Sequence, residues 1–218
     1  MLCVLPLQAA CRASAPAYFP GMITLPPGPW DAYIFDCDGT LIDSMPLHLS
    51  AWRAALEAHG FPPLQFTHAM HHDFAGMPGH SIVSVLNERF GCHLSPEQVE
   101  AEKVKWYLAH HHEVQPLGKV VDVARAAKGR LPMAVASGSD ESIVRSSLEA
   151  AGILDWFQTV ITPVDVARGK PAPDMFLLAA SRLGIPPARC LVFEDGRLGV
   201  EAAVAAGMGC VFIETPPA

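Results

Sequence analysis

Ala32-Tyr33-Ile34-Phe35-Asp36-Cys37-Asp38-Gly39-Thr40-Leu41 runs from four apolar residues straight into two acids, a glycine and a hydroxyl. The apolar run reads as a short buried strand, and the polar residues behind it are delivered to a loop at its carboxyl end. An isolated Asp-x-Asp in such a place is as often a turn as a site, because aspartate is common in turns. The groups that the rest of the chain brings to the same place decide between the two.

Immediately downstream the pattern is helical. Leu47, Leu49, Trp52, Ala55 and Leu56 predict a helix over 45–59, stopped by Gly60 and Pro62-Pro63. Ile82, Val83, Val85, Leu86 and Phe90 predict a second over 81–90, ended by Gly91. Ser95-Pro96-Glu97-Gln98 reads as an N-cap, a first-turn proline and a capping-box glutamine for a helix to about 112.

Beyond Gln115-Pro116-Leu117-Gly118 strands and helices alternate. Helices over 119–128, 141–151, 174–183 and 198–206 separate the apolar runs Met133-Ala134-Val135-Ala136, Thr159-Val160-Ile161, Cys190-Leu191-Val192-Phe193 and Cys210-Val211-Phe212-Ile213. Such alternation predicts an α/β fold, a Rossmann-like parallel sheet with helices on both faces. The sheet domain comprises 31–42 and 116–218, and 43–115 is an all-helical insertion that caps the strand ends.

Residues 1–30 form an N-terminal extension. Met1 to Ala10 is apolar but lacks the basic start of a secretory signal, and a single Arg12 gives a transit peptide little support. Six prolines between Pro6 and Pro29 put the start of the packed chain near Trp30, with Met22 a second candidate start.

The formal charge of -7, from 15 basic against 22 acidic residues, gives no reason to expect a nucleic acid or an anionic membrane as partner. Six cysteines without a C-x-x-C pair fit buried thiols in a reducing compartment, so the chain is read as cytoplasmic. No apolar run reaches the ~18 residues of a membrane span. The chain is expected to act as a monomer on a small molecule.

In a parallel sheet ligands sit beyond the carboxyl ends of the strands. The polar residues at those ends are Asp36 and Asp38, then Ser137, then Glu194 and Asp195, with Lys170 in a loop after the third core strand. Four carboxylates converging would repel one another unless a cation neutralised them, and an all-oxygen environment suits Mg²⁺. The lysine and the hydroxyl remain to hold an anion.

Asp36-Cys37-Asp38-Gly39-Thr40-Leu41, Ser137-Gly138-Ser139, Lys170-Pro171-Ala172-Pro173-Asp174-Met175-Phe176 and Val192-Phe193-Glu194-Asp195 with Gly199-Val200-Glu201-Ala202-Ala203 occur in one order. Over about 31–213 the chain thereby resembles the haloacid dehalogenase superfamily. Within it, the likeness is to the helical-cap branch of sugar-phosphate phosphatases and beta-phosphoglucomutase, and to its fructose-1-phosphatase-like group. The resemblance implies a magnesium-dependent phosphatase in which Asp36 becomes an aspartyl-phosphate and Asp38 is the acid and base. It implies Mg²⁺ on Asp36, the Asp38 carbonyl and Asp195, with Glu194 direct or through water. Ser137, the Gly138 N–H and Lys170 would hold the phosphoryl oxygens of a small sugar phosphate. It also implies a histidine facing the catalytic loop, for which His48 is the candidate, and hinges at 41–44 and 114–118.

Other readings compete. Ser137 could serve merely as a helix N-cap. His68 and His71 could share a helix face as a remote zinc site, whereas His110, His111 and His112 diverge around a helix end. The mutase branch carries a cap arginine where Gly79 stands in Gly76-Met77-Pro78-Gly79-His80, which favours water as acceptor over a beta-phosphoglucomutase-type transfer. No lysine lies between Asp43 and Glu102, which counts against a phosphonatase, and a dehalogenase would need neither Asp38 nor magnesium. A catalytically inactive phosphate-binding domain is the remaining alternative, against which the full residue set speaks. Gly196, where serine is usual, is expected to loosen the metal-side loop.

Overall fold

The computed structural model describes residues 23–214, so the readings for residues 1–22, Cys3 and Cys11 included, lie outside the described residues. In chain order the elements are β1 (Ala32–Phe35), β2 (Ile42–Asp43), α1 (Met45–Ala58), α2 (His68–Asp73), α3 (Gly79–Phe90) and α4 (Pro96–His110). They continue with β3 (Gln115–Pro116), α5 (Gly118–Ala127), β4 (Met133–Ala136), α6 (Glu141–Ala150) and β5 (Thr159–Ile161). The chain closes with α7 (Asp174–Leu183), β6 (Cys190–Glu194), α8 (Arg197–Ala205) and β7 (Gly209–Phe212).

Five strands form a parallel sheet in the order β5-β4-β1-β6-β7, so β1 is central. Side chains of a strand alternate between faces. Tyr33 and Phe35 therefore enter one core with Val120, Val121 and Ala124 of α5 and Ile143, Val144 and Leu148 of α6. Ala32 and Ile34 enter the other, with Met175, Phe176 and Ala179 of α7 and Ala202 and Ala203 of α8. Phe35 stacks on Phe193 of the neighbouring strand at 4.5 Å and meets the edge of Phe157 at 5.9 Å. Burying each such ring favours the fold by about 1.5–3 kcal/mol, which makes the β1–β6 seam one of the firmest parts of the sheet.

The helices from α1 to α4 have a core of their own: Trp52, Ala55 and Leu56 pack with Phe61, Phe66, Ile82, Leu86 and Val99. α1 starts with Pro46 in its first turn, which costs nothing where the N–H would be unpaired anyway. Ser95 caps α4 by accepting a bond from the Gln98 N–H, and α3 ends on Gly91 in the left-handed region, φ 62°. The chain passes between sheet and helices twice, and the two passages lie side by side. β2 pairs antiparallel with β3, matching Ile42 to Pro116 and Asp43 to Gln115, and the Leu117 N–H donates to the Leu41 carbonyl at 2.8 Å. None of the helices is long and apolar enough to cross a membrane, among the described residues.

Candidate active site

The sheet order makes the edge beyond β1, β4 and β6 the place where the strand connections diverge, which is where α/β folds bind ligands. The parallel register aligns Phe35 with Phe193, so the next residues, Asp36 and Glu194, emerge together. The Asp36 N–H donates to the Phe193 carbonyl at 2.9 Å and fixes that register at its last rung. The ammonium of Lys170, from the loop between β5 and α7, bridges them at 2.6 Å to Asp36 Oδ1 and 2.7 Å to Glu194 Oε2. All three are buried.

Asp195 joins this group. Asp36, Glu194 and Asp195 each offer an oxygen within 4.8 Å of the others, the one such group of three or more potential ligands among the described residues. Burial raises the pKa of all three carboxylates: Asp36 well above its ordinary range with further help from Glu194, and Asp195 to about 7 with help from Asp36. Lys170 works against this but is one cation among three acids. The cluster is thus short of positive charge and built from oxygen donors alone, a set that fits Mg²⁺. The Asp195 carboxylate accepts from Thr40 Oγ1 at 3.2 Å and lies where a Cβ on residue 39 would have to be. Gly39, with φ of 82°, meets both the turn and that contact. Glu194 is fixed in turn by the Gly196 N–H, which donates to Oε1 at 3.0 Å.

Asp38 has different surroundings. Its Oδ1 accepts from Ser44 Oγ at 2.7 Å, and its Oδ2 from Ser139 Oγ at 2.7 Å and Ser137 Oγ at 3.3 Å. Although burial alone would raise its pKa, the nearby His48 ring and the Ser139 and Ser44 hydroxyls hold it well below the usual carboxylate range. His48 Nε2 lies 2.8 Å from Asp38 Oδ1, yet an N–H on that nitrogen does not point at the oxygen, and the ring makes no aligned hydrogen bond there. Burial and then the charge of Lys103 lower the His48 pKa, and the ring stacks on Tyr107 at 4.5 Å. Ser137 is not an N-cap: Asp140 caps α6 by accepting from the Ser142 N–H. Ser137 instead accepts from the Ser139 N–H, and Gly138 lies so close to the Gly76 carbonyl that an added Cβ would come within 2.5 Å of it.

The opposite wall comes from the helical insertion. A cavity of about 60 Å³ is lined by Asp36, Asp38, Ser137, Gly138 and Asp195 from the sheet and by His48, His71, Glu100 and Lys103 from the helices. Burial pushes His71 down to about 3, its ring lies beside Phe66, and no cluster of three or more potential metal ligands includes it or His68 among the described residues. Lys103 is a lysine that the helical insertion does bring to this wall. It sits one residue beyond the 43–102 stretch, is buried, and lies 5.7 Å from the ring centres of both Trp52 and Tyr107. Its signal is in the sequence: Val99, Lys103 and Tyr107 are four apart, so the lysine stands on the buried stripe of α4. Ser44, Ser139 and Glu100 carry no such signal, being ordinary polar residues of a helix cap, a loop and a helix.

The sequence profile of the haloacid dehalogenase-like hydrolases matches residues 30–207. The chain is 39% identical over 181 residues to the fructose-1-phosphate phosphatase YqaB of Escherichia coli (strain K12), covering 82% of this chain and 93% of that one. It is 30% identical to hexitol phosphatase A of the same organism, over 84% of this chain and 83% of the relative. Among solved structures, a hydrolase from Pseudomonas syringae superposes with a TM-score of 0.75 at 28% identity, covering 84% and 83% of the two chains. A beta-phosphoglucomutase from Clostridium difficile reaches the same TM-score at 22% identity over 85% of each chain, a likeness of fold.

Proposed function

This chain belongs to the haloacid dehalogenase-like hydrolases, and from that premise we propose that it is a phosphoric monoester hydrolase acting on a small, fructose-1-phosphate-like sugar phosphate through an aspartyl-phosphate. The observation that carries the reading is the contrast between two aspartates two residues apart. Asp36 is held by Lys170 beside Glu194 and Asp195, whereas Asp38 faces away into serine hydroxyls and His48. One carboxylate is set to attack and the other to move a proton.

In the first half-reaction an Asp36 oxygen forms a bond to phosphorus as the bond from phosphorus to the sugar oxygen breaks, and Asp38 gives its proton to that oxygen. In the second, water adds to phosphorus, Asp38 takes the proton from the water, and the bond to Asp36 breaks. With its carboxyl held so low, Asp38 is ionised until substrate binds; the phosphate anion beside it then favours the acid form that the leaving group needs. Ser137 and the Gly138 N–H are suited to hold phosphoryl oxygens, and Lys170 to offset their charge while keeping Asp36 in line. Asp36, Asp195, Glu194 and the Asp38 carbonyl are the groups that would hold Mg²⁺. When bound, the ion offsets the repulsion between an anionic nucleophile and an anionic ester.

The cavity lies between the strand ends and the helical insertion, so the way these two parts meet sets its mouth. The insertion therefore acts as a cap that opens for substrate and closes to exclude water during transfer, with the β2–β3 ribbon as its hinge. Asp36→Asn is expected to abolish magnesium-dependent phosphate release from a sugar-phosphate panel. Retention of full activity by this variant overturns the proposal.

A further inference from the structure

Glu100 stands on the pocket-facing side of α4, one turn before Lys103. The charges of the two attract each other, but their other neighbours differ. Lys103 lies beside Tyr107, which stacks on the His48 that touches Asp38, so its charge belongs to the inner end where the phosphoryl group is handled. Glu100 reaches instead to the start of α3, where its Oε1 fills the space that a Cβ on Gly79 would take. Its carboxylate is half-buried, and no hydrogen bond within the described residues engages it. Asp140, another acid lining the pocket, caps α6 through its Oδ1.

We infer that Glu100 selects substrates with a single phosphate: from the outer end of the pocket its carboxylate accepts hydrogen bonds from the hydroxyls of a neutral polyol and repels a second phosphate. This deepens the phosphatase reading and rests on it. A fixed anion that only accepts hydrogen bonds matches sugar hydroxyls, which donate, and opposes a phosphate dianion, which has no proton to give. Gly79 is part of the device, because any side chain there would displace the carboxylate from this position.

The test compares wild type, Glu100→Gln and Gly79→Ala with a ketohexose 1-phosphate and the matching 1,6-bisphosphate. KM is read for the monophosphate, and the inhibition constant or KM for the bisphosphate. Glu100→Gln keeps the side-chain shape and loses the charge, so the preference for the monophosphate should fall about tenfold. Gly79→Ala, which moves the carboxylate without removing it, should shift the ratio in the same direction. An unchanged ratio in both variants, with wild type active, overturns the role of Glu100 and leaves the phosphatase reading intact. Failure of wild type to release phosphate from p-nitrophenyl phosphate and both sugar esters in the presence of Mg²⁺ overturns that reading, and this inference with it.

Discussion

Replacing Lys103 with methionine should make the protein more stable and less active. The side chain is 6% exposed and lies between Trp52 and Tyr107, where a thioether of similar length packs without a charge to bury. Burial pushes the amine from 10.5 down to about 8 even though Asp38, Glu100 and Asp140 attract the charge. That difference corresponds to roughly 3 kcal/mol by which the folded state disfavours the proton relative to the unfolded chain. Below pH 8 both states carry the proton and wild type bears the full cost. Between pH 8 and 10.5 the native amine is neutral while the unfolded one is still charged, so wild-type stability rises with pH relative to the variant. Equilibrium urea denaturation followed by tryptophan fluorescence should show Lys103→Met ahead by roughly 3 kcal/mol at pH 7, with the gap closing towards pH 10.5. A chain of this size would gain roughly 6 to 12 °C in Tm. The same substitution should raise KM for a sugar phosphate about tenfold or more, the scale of a lost charge-assisted hydrogen bond. A variant no more stable than wild type at pH 7, or a gap that ignores pH, refutes the reasoning.

Two further outcomes rest on the cap contacts and the catalytic turn. The Cβ of Ala75 lies 3.4 Å from where a Cβ on Gly196 would stand, close to disulfide geometry, so Ala75→Cys with Gly196→Cys should lock the cap on oxidation. Phosphate release should then stop and return with dithiothreitol; continued turnover by the oxidised, cross-linked protein rules out cap opening. Gly39→Ala forces a side chain into the left-handed region, at about 1–2 kcal/mol, and into the Asp195 carboxylate. Thermal melts should show the destabilisation, and the magnesium concentration for half-maximal rate should rise at least about tenfold.

The sheet was legible because its strands are short runs rich in apolar and β-branched residues. β4 and β5 coincide with the runs Met133–Ala136 and Thr159–Ile161, and the helix ends shift by one or two residues. β2 and β3 were not legible. Two residues carry no period, and they pair only because the chain enters and leaves the helical insertion at one point. Of the site, the acids, Ser137 and Lys170 could be read from their position after strands, a property of local sequence. Lys103, Glu100 and Ser139 face the cavity, and Ser44 holds Asp38 beside it, from helices and turns whose approach is set by tertiary packing. Even so, a lysine in step with Val99 and Tyr107 is a sequence anomaly that a helical wheel exposes.

The central strand is the first part of the sheet to be synthesised, and neither partner follows until the whole helical insertion has been made. Ala32–Phe35 finds one neighbour only when Met133–Ala136 has been made, and the other only with Cys190–Glu194. The helical insertion, with its own apolar centre between residues 52 and 99, is complete well before that. On the ribosome the cap can therefore condense early while β1 and its aspartates wait for a mate. Contacts so distant in sequence fold slowly. An unpaired Ala-Tyr-Ile-Phe edge during that wait is the segment most exposed to aggregation, so production of this protein should benefit from slow synthesis at low temperature.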